Sequence, residues 1–405
     1  MTYFLLAIAM YSVLAAWAPR LWAVTIPQIA LFAAVIYFCT RHFTRGTPLR
    51  FPPFLTAPGA MVIIGTAQLL THRAAYALRT ENAALDWAGY LAFGWLAAQL
   101  PSSCLTRNRI LVWWACFAGA VATIAILTAL TSPFQIFWLV PVRFEHAFGP
   151  YVYRNHLAGF IELSLPAAIY LAIREKERRA VFLAIAAVLV SACVVAASRT
   201  GLILAGVEVF TMLALAAHKQ WLTAKQSIAF SFLLICSVLA GIAVAGFSPV
   251  QTRFAEEHPY SVRYEILQST LDMARAKPLT GWGLGNFRTV YPSFGRIDPG
   301  VLVNEAHNDW AQWAAEGGLA AVLVMLVFAF WAARAGVRTG WALGVPVVFC
   351  HALVDYPFEE PSLVMLVMLL SALAWNSGGR GEKLRSHRHN ARQRTRPIVQ
   401  ELNPV

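Results

Sequence analysis

The stretch Asn304 to Leu319, NEAHNDWAQWAAEGGL, sets His307, Asn308, Asp309 and Glu316 at the mouth of the apolar run Ala320 to Ala333. Ionisable groups at membrane depth are costly, so each is a candidate for function. On a helix Asp309, Trp313 and Glu316 share one face, and His307, nine residues from Glu316, lies roughly opposite. A helix start turns its positive end toward a histidine and favours the neutral ring, which suits a proton acceptor. The plainer alternative makes His307 and Asn308 interfacial polar residues that cap the helix.

A second group is cationic. Arg199, in ASRTGLI, stands between two apolar runs. It reads either as an arginine snorkelling to the interface at a tight turn or as part of an anion site. GPYVYRNHLAGF, 149 to 160, brings Arg154, Asn155 and His156 to the start of another apolar helix. Capping suffices to explain Asn155 but explains neither Arg154 nor His156. If the helices pack together, Arg199, Arg263 and His307 stand beside them. Guanidinium groups clustered at a membrane surface with few carboxylates read as an anion site, and phosphate is the usual match for forked donors. Glu162 lies seven residues into that helix, about 10 Å down, and is either functional or simply protonated or paired with an Arg or His of a neighbouring helix. Glu208 is similarly deep and reads as structural.

The elements that must position these groups are membrane spans. The 405-residue chain is 59% hydrophobic and 13% charged, with a mean hydropathy of +0.58, far above a soluble domain of this length. Nearly uncharged runs of about 17 to 25 residues give twelve expected spans, at 3–19, 21–40, 54–71, 86–104, 110–130, 155–173, 180–198, 200–217, 226–247, 312–333, 341–358 and 361–376. With the N-terminus cytoplasmic, inside segments hold 20 of the 32 lysines and arginines, and half of the rest fall in one long segment, where the positive-inside rule acts weakly. Both termini are then cytoplasmic. The net charge of +12 becomes an inner-face feature suited to anionic lipid headgroups rather than to nucleic acid. The six cysteines all fall in or at the ends of apolar spans without C-x-x-C spacing, so neither a disulfide frame nor a zinc site is expected.

The expected class is thus an all-α polytopic membrane protein with about 12 transmembrane helices, residues 1–376, interrupted by one long periplasmic loop at 248–311. That loop contains SVRYEILQSTLDMARA, an amphipathic helix with Ile266, Leu267, Leu271 and Met273 apolar, followed by the Pro- and Gly-rich turn KPLTGWGLGNF. Loops of this length are usually functional or disordered, and Tyr260, Tyr264, Trp282, Phe287, Tyr291 and Phe294 argue for the former. The basic tail 377–405 shows no apolar periodicity and reads as disordered and cytoplasmic.

The ordered set RNHLAGFIELSLP, ASRTGLI, VRYEILQSTLDMARAKPLTGWGLGNF, AHNDWAQWAAEGGLAAVL and HALVDYP resembles the bacterial O-antigen ligase and O-antigen polymerase family over about residues 145 to 360. The N-terminal third matches only as a set of helices. The resemblance implies a GT-C-type membrane glycosyltransferase of the bacterial inner membrane. Its active site would face the periplasm and act on a glycan carried by undecaprenyl diphosphate. It also implies catalytic roles for His307, Arg199 and Arg263, where family members carry a histidine after the long loop and arginines on a mid-chain helix and on the loop helix. Arg154, Asn155, His156, Glu162, Asn308 and Glu316 are the expected substrate-binding residues. The chemistry suits these residues. Arginines in a dry site can stabilise a diphosphate leaving group, and a neutral histidine can orient and deprotonate an acceptor hydroxyl. The long loop has no D-x-D motif; Asp272 and Asp298 are isolated and Glu256 with Glu257 reads as a solvated pair, so neither a metal nor another cofactor is expected.

The acceptor stays open among a lipid A core, another lipid-linked glycan and a protein hydroxyl. Twelve spans with buried Glu162 and Glu208 also allow a transporter or lipid flippase for a polysaccharide precursor, although the internal repeats that transporters tend to carry are not evident. A non-catalytic family member with an assembly role is the third reading, against which intact His307, Arg199 and Arg263 count.

Overall fold

The computed structural model describes residues 1–394 apart from 19, 47, 143–146, 246–260, 298, 299 and 301. Glu256, Glu257, Tyr260 and Asp298 therefore lie outside the described residues. Fourteen α-helices are described: α1 Thr2–Leu14, α2 Arg20–Arg45, α3 Thr56–Leu70, α4 Ala77–Ala98, α5 Cys104–Thr131, α6 Arg154–Arg174, α7 Arg179–Ala196, α8 Arg199–His218, α9 Ala224–Ala245, α10 Ser261–Ala276, α11 Phe287–Val290, α12 Asp309–Thr339, α13 Gly344–His351 and α14 Pro361–Arg394. The one sheet among the described residues is a two-residue antiparallel ribbon, Gln135–Ile136 with Val140–Pro141. The all-α, multi-pass membrane architecture is as expected.

Nine helices among the described residues are long and apolar enough to cross a membrane, against twelve expected spans. Three expected spans account for the difference. Helix α1 has only 13 residues. Helix α4 starts nine residues before its expected span and so adds Arg79 and Glu81 to Asp86. Most informative is 341–358, where α13 ends after eight residues at His351, about 12 Å at 1.5 Å per residue against a hydrocarbon core of about 30 Å. The chain then turns through Asp355 into a 3₁₀ turn, Pro357–Glu359, because Pro357 lacks the amide hydrogen that a continuing helix would need. The last helix continues to Arg394, past the point where the tail was expected to lose regular structure; Lys, Arg, Gln, Ala and Leu all tolerate helix well.

Helix α6 is the hub. Every residue from Leu157 to Ile173 is buried, and α5, α7, α8, α13 and α14 pack around it. The amphipathic reading of the long loop holds. Helix α10 lies against α12 and buries Ile266 and Met273 in a satellite cluster with Phe287, Val290, Tyr291, Ala306 and Ala315.

The loop is clasped to a break in α12. Gly318 has φ 68° and ψ −168°, so Asp309–Gly317 is a short helix of its own set above the apolar span. This is why a membrane segment begins with so many polar groups. At the break, the Leu319 amide donates to Pro278 O at 2.8 Å, while the Trp282 and Gly283 amides donate to Ala315 O (2.9 Å) and Glu316 O (3.0 Å). A helix kink orphans backbone groups that must be paired elsewhere, and the Gly-rich turn supplies the partners. Gly281, at φ +63°, admits this approach because a Cβ there would stand 2.1 Å from Glu316 O.

Candidate active site

The starts of α6, α8 and α12, the end of α13 and helix α10 meet at one end of the bundle, around a carboxylate that the sequence analysis did not single out. Asp355 is 1% exposed. Its Oδ2 accepts from Arg263 Nη1 at 3.2 Å, from the Tyr153 hydroxyl at 3.1 Å and from Asn155 Nδ2. His307 faces its other oxygen, with Nδ1 3.7 Å from Oδ1. Burial pushes the Asp355 carboxyl up, but His307 and the Arg263 guanidinium more than offset this and hold it well below the usual carboxylate range. A buried carboxylate needs a counter-charge, and half-buried Arg263 supplies it, so the expected bare cation cluster is instead built around an anion.

The local sequence explains how each group is held. His307 immediately precedes the α12 cap with φ 50°, a left-handed conformation uncommon outside glycine but several-fold enriched in histidine. Asn308 is the cap: its Oδ1 accepts from the Ala311 amide at 2.9 Å, and its Nδ2 donates to Leu353 O at 2.6 Å, tying the start of α12 to the Asp355 turn. Arg263, on the first turn of α10, donates through Nη1 to Val354 O at 3.0 Å and through Nη2 to the Tyr153 hydroxyl at 2.7 Å.

Asn155 corrects the capping expectation. The α6 cap is Tyr153, which makes no side-chain cap bond, and Asn155 sits inside the helix. It gives its amide hydrogens to Asp355 and to the Tyr153 hydroxyl (2.9 Å) and takes the Ser198 hydroxyl on Oδ1 at 2.7 Å. Ser198 is the cap of α8, so this bond brings the start of α8, and with it half-buried Arg199, beside the start of α6. Arg154 is the first residue of α6. His156 Nδ1 stands 3.6 Å from Glu360 Oε2, and its ring meets Tyr153 and Tyr356 edge-on at 5.0 and 5.1 Å. Tyr356 also lies edge-on to His307 at 4.9 Å and stacks on Tyr153 at 5.3 Å. His307 thus stands in an aromatic enclosure with its side chain 25% exposed.

Both expected substrate-binding carboxylates are engaged elsewhere. Glu162 is fully buried beneath the cluster, with both oxygens on His351 Nδ1 at 2.8 and 3.0 Å. This is the pairing with a neighbouring helix that its depth implied. Glu316 accepts from the Gly285 and Phe287 amides, each at 2.8 Å, and anchors the long loop. Glu208 is also fully buried. Asp272 is not isolated but paired with Arg275 and Arg296. Among the described residues no three His, Cys, Asp or Glu side chains converge as metal ligands do, and all six cysteines are free.

Sequence reasoning missed Asp355, Tyr153 and Tyr356. Asp355 did carry a signal, a carboxylate inside the apolar stretch 341–358 that is as costly there as Glu162. Tyr153 and Tyr356 carried none, since tyrosine is ordinary at a membrane interface.

The arrangement offers a histidine that faces a buried carboxylate 3.7 Å away, with guanidinium charge on the same carboxylate. Such a site can take a proton and stabilise a developing anion. Residues 184–326 match the family model described as O-antigen ligase, bearing out the resemblance read from the motifs. The matched segment contains Arg199, Arg263, His307, Asn308 and Glu316 and ends before Asp355. No curated protein matches the chain.

Proposed function

We propose, from the premise that the chain carries the O-antigen ligase segment at 184–326, that this membrane protein is a glycosyltransferase of cell-surface polysaccharide synthesis. In this reading it moves a glycan from undecaprenyl diphosphate to an acceptor hydroxyl at the periplasmic face of the inner membrane. The observation that carries the reading is the pairing of His307 with Asp355 at 3.7 Å, with Arg263 on the same carboxylate. His307 takes the acceptor hydroxyl proton as the new glycosidic C–O bond forms, and Asp355 orients the ring and balances the imidazolium. The anomeric carbon–oxygen bond to the carrier breaks, and the diphosphate leaves with its electron pair, stabilised by the charge of Arg199 and Arg263. Arg154, His156 and Asn308 flank the acceptor path. The acceptor is a lipid A core, a second lipid-linked glycan or a protein hydroxyl.

The test measures transfer rate and lipid-donor affinity for each variant at equal membrane abundance. His307→Ala is expected to fold, insert and bind donor but to transfer about 10²- to 10⁴-fold more slowly, the usual worth of a general base. Arg199→Lys is expected to weaken donor binding, since an ammonium keeps the charge but loses the fork. Near-normal transfer by His307→Ala would reduce the residue to a flank of the helix cap. Transfer is also expected to persist in excess EDTA, because guanidinium groups rather than a metal meet the diphosphate; loss restored by magnesium would overturn that part.

A further inference from the structure

A cavity of about 340 Å³ opens next to the reacting cluster, bounded by α2, α4, the first turns of α12, the turn at Leu284 and Gly285, and Phe358 with Glu359. That volume falls at the low end for small-molecule sites, about 300–1,000 Å³. Its walls combine two chemistries. Trp87, Tyr90 and Trp313 are buried aromatic rings, while Gln28 donates to Asp86 Oδ1 at 2.8 Å, with Asn82 exposed beside them. Flat apolar rings next to fixed amide and carboxylate groups match a pyranose, which presents C–H faces and a rim of hydroxyls; such walls bind by stacking and by hydrogen bonds.

The charge of the lining narrows the ligand. Among the described residues Arg79 is the one cationic side chain in the lining, beside Asp86, Glu316 and Glu359, so phosphate or carboxylate groups are disfavoured. The cavity also lies against the cluster. Asp355 and Tyr356 face His307, Phe358 and Glu359 line the cavity, and Glu360 returns to His156; one segment thus walls both. A smaller cavity of about 170 Å³ shares Val24 and Glu359 and continues to Glu360.

We propose that this cavity is a saccharide subsite, which seats a neutral or amino-bearing sugar unit of a glycan substrate while a neighbouring unit of that substrate lies at His307. The inference rests on the glycan-transfer reading. A unit remote from the reacting bond, held equally in the ground and transition states, lowers KM without raising kcat.

The test uses the full-length chain in detergent, with the methyl glycosides of glucose, glucosamine and glucuronic acid as probes, read by saturation-transfer NMR. The glucose and glucosamine probes are expected to bind in the wild type and in His307→Ala. They should lose their signal in Thr25→Trp, which fills the exposed mouth of the cavity, and weaken in Asn82→Ala. In transfer assays Thr25→Trp should raise one KM about ten-fold with kcat little changed. A rise in acceptor KM assigns the cavity to the acceptor glycan, and a rise in donor KM assigns it to the donor glycan. Absence of any sugar signal at about 10 mM, well above a millimolar Kd, would overturn the subsite, as would binding indifferent to Thr25→Trp or strongest for the glucuronide. Sugar binding that responds to these variants in a chain that transfers nothing would instead overturn the transferase reading and leave the subsite standing.

Discussion

Asp355 carries more of the site than any residue the sequence analysis chose, because three elements place donors on one buried carboxylate. Its depressed pKa gives a signed expectation. The unfolded value is about 3.9 and the folded value lies below it, so the unfolded chain binds the extra proton in acid. The stabilising contribution is then complete above about pH 4 and is lost as pH falls toward the folded value. Thermal unfolding of the wild type and Asp355→Asn in detergent from neutral pH to about pH 3 should show a constant gap at the upper end that narrows in acid. A gap that widens in acid would contradict the assigned direction. The fork of Arg263 matters at this scale too. Its two terminal nitrogens serve Val354 and Asp355 on one side and Tyr153 on the other, a geometry lysine cannot reproduce. Arg263→Lys should therefore lower both transfer and donor affinity, measured side by side, and retention of both would reduce Arg263 to a replaceable point charge.

The break in α12 and the loop turn are mutually dependent elements. Glu316 takes two loop amides, and Gln68 holds the same junction by donating to Thr280 O and Glu316 O (2.7 Å each) and accepting from the Leu284 amide at 3.0 Å. Bonds to charged groups contribute about 1.5–3 kcal/mol each. Glu316→Gln keeps the shape and removes the charge, so faster hydrogen exchange is expected at the Gly285 and Phe287 amides with little change in the buried core of α6. Unchanged exchange there would show that Gln68 and the backbone clasp suffice. The loop's hold on α12 also bears on chemistry, because α10 carries Arg263 and α12 begins next to His307.

For the molecule as a whole, the open quantity is orientation. The starts of α6, α8 and α12 gather at one end, and the 20 of 32 lysines and arginines expected on the opposite side predict that the long loop faces the periplasm. A single cysteine replacing exposed Ser293 in a cysteine-free background should react with an impermeant reagent on intact cells whose outer membrane has been permeabilised. Labelling confined to lysed cells would invert the topology and move the site to the cytoplasm.

Composition and run length alone determined that this is a helical multi-pass membrane protein, because the cost of burying unpaired backbone in lipid leaves few alternatives. Local periodicity likewise determined that the long loop holds an amphipathic helix, since the apolar spacing of Ile266 and Met273 is a property of adjacent residues. The motif order allowed His307, Arg199 and Arg263 to be named as a group. Only the tertiary structure decided what surrounds them. Asp355, Tyr153 and Asn155 meet across separations of about 200 residues, and Glu316 turns toward loop amides rather than toward the site. No local pattern encodes which distant donor a buried carboxylate will take, because that choice follows from how the helices pack around α6 and which polar atoms the packing leaves to be paired.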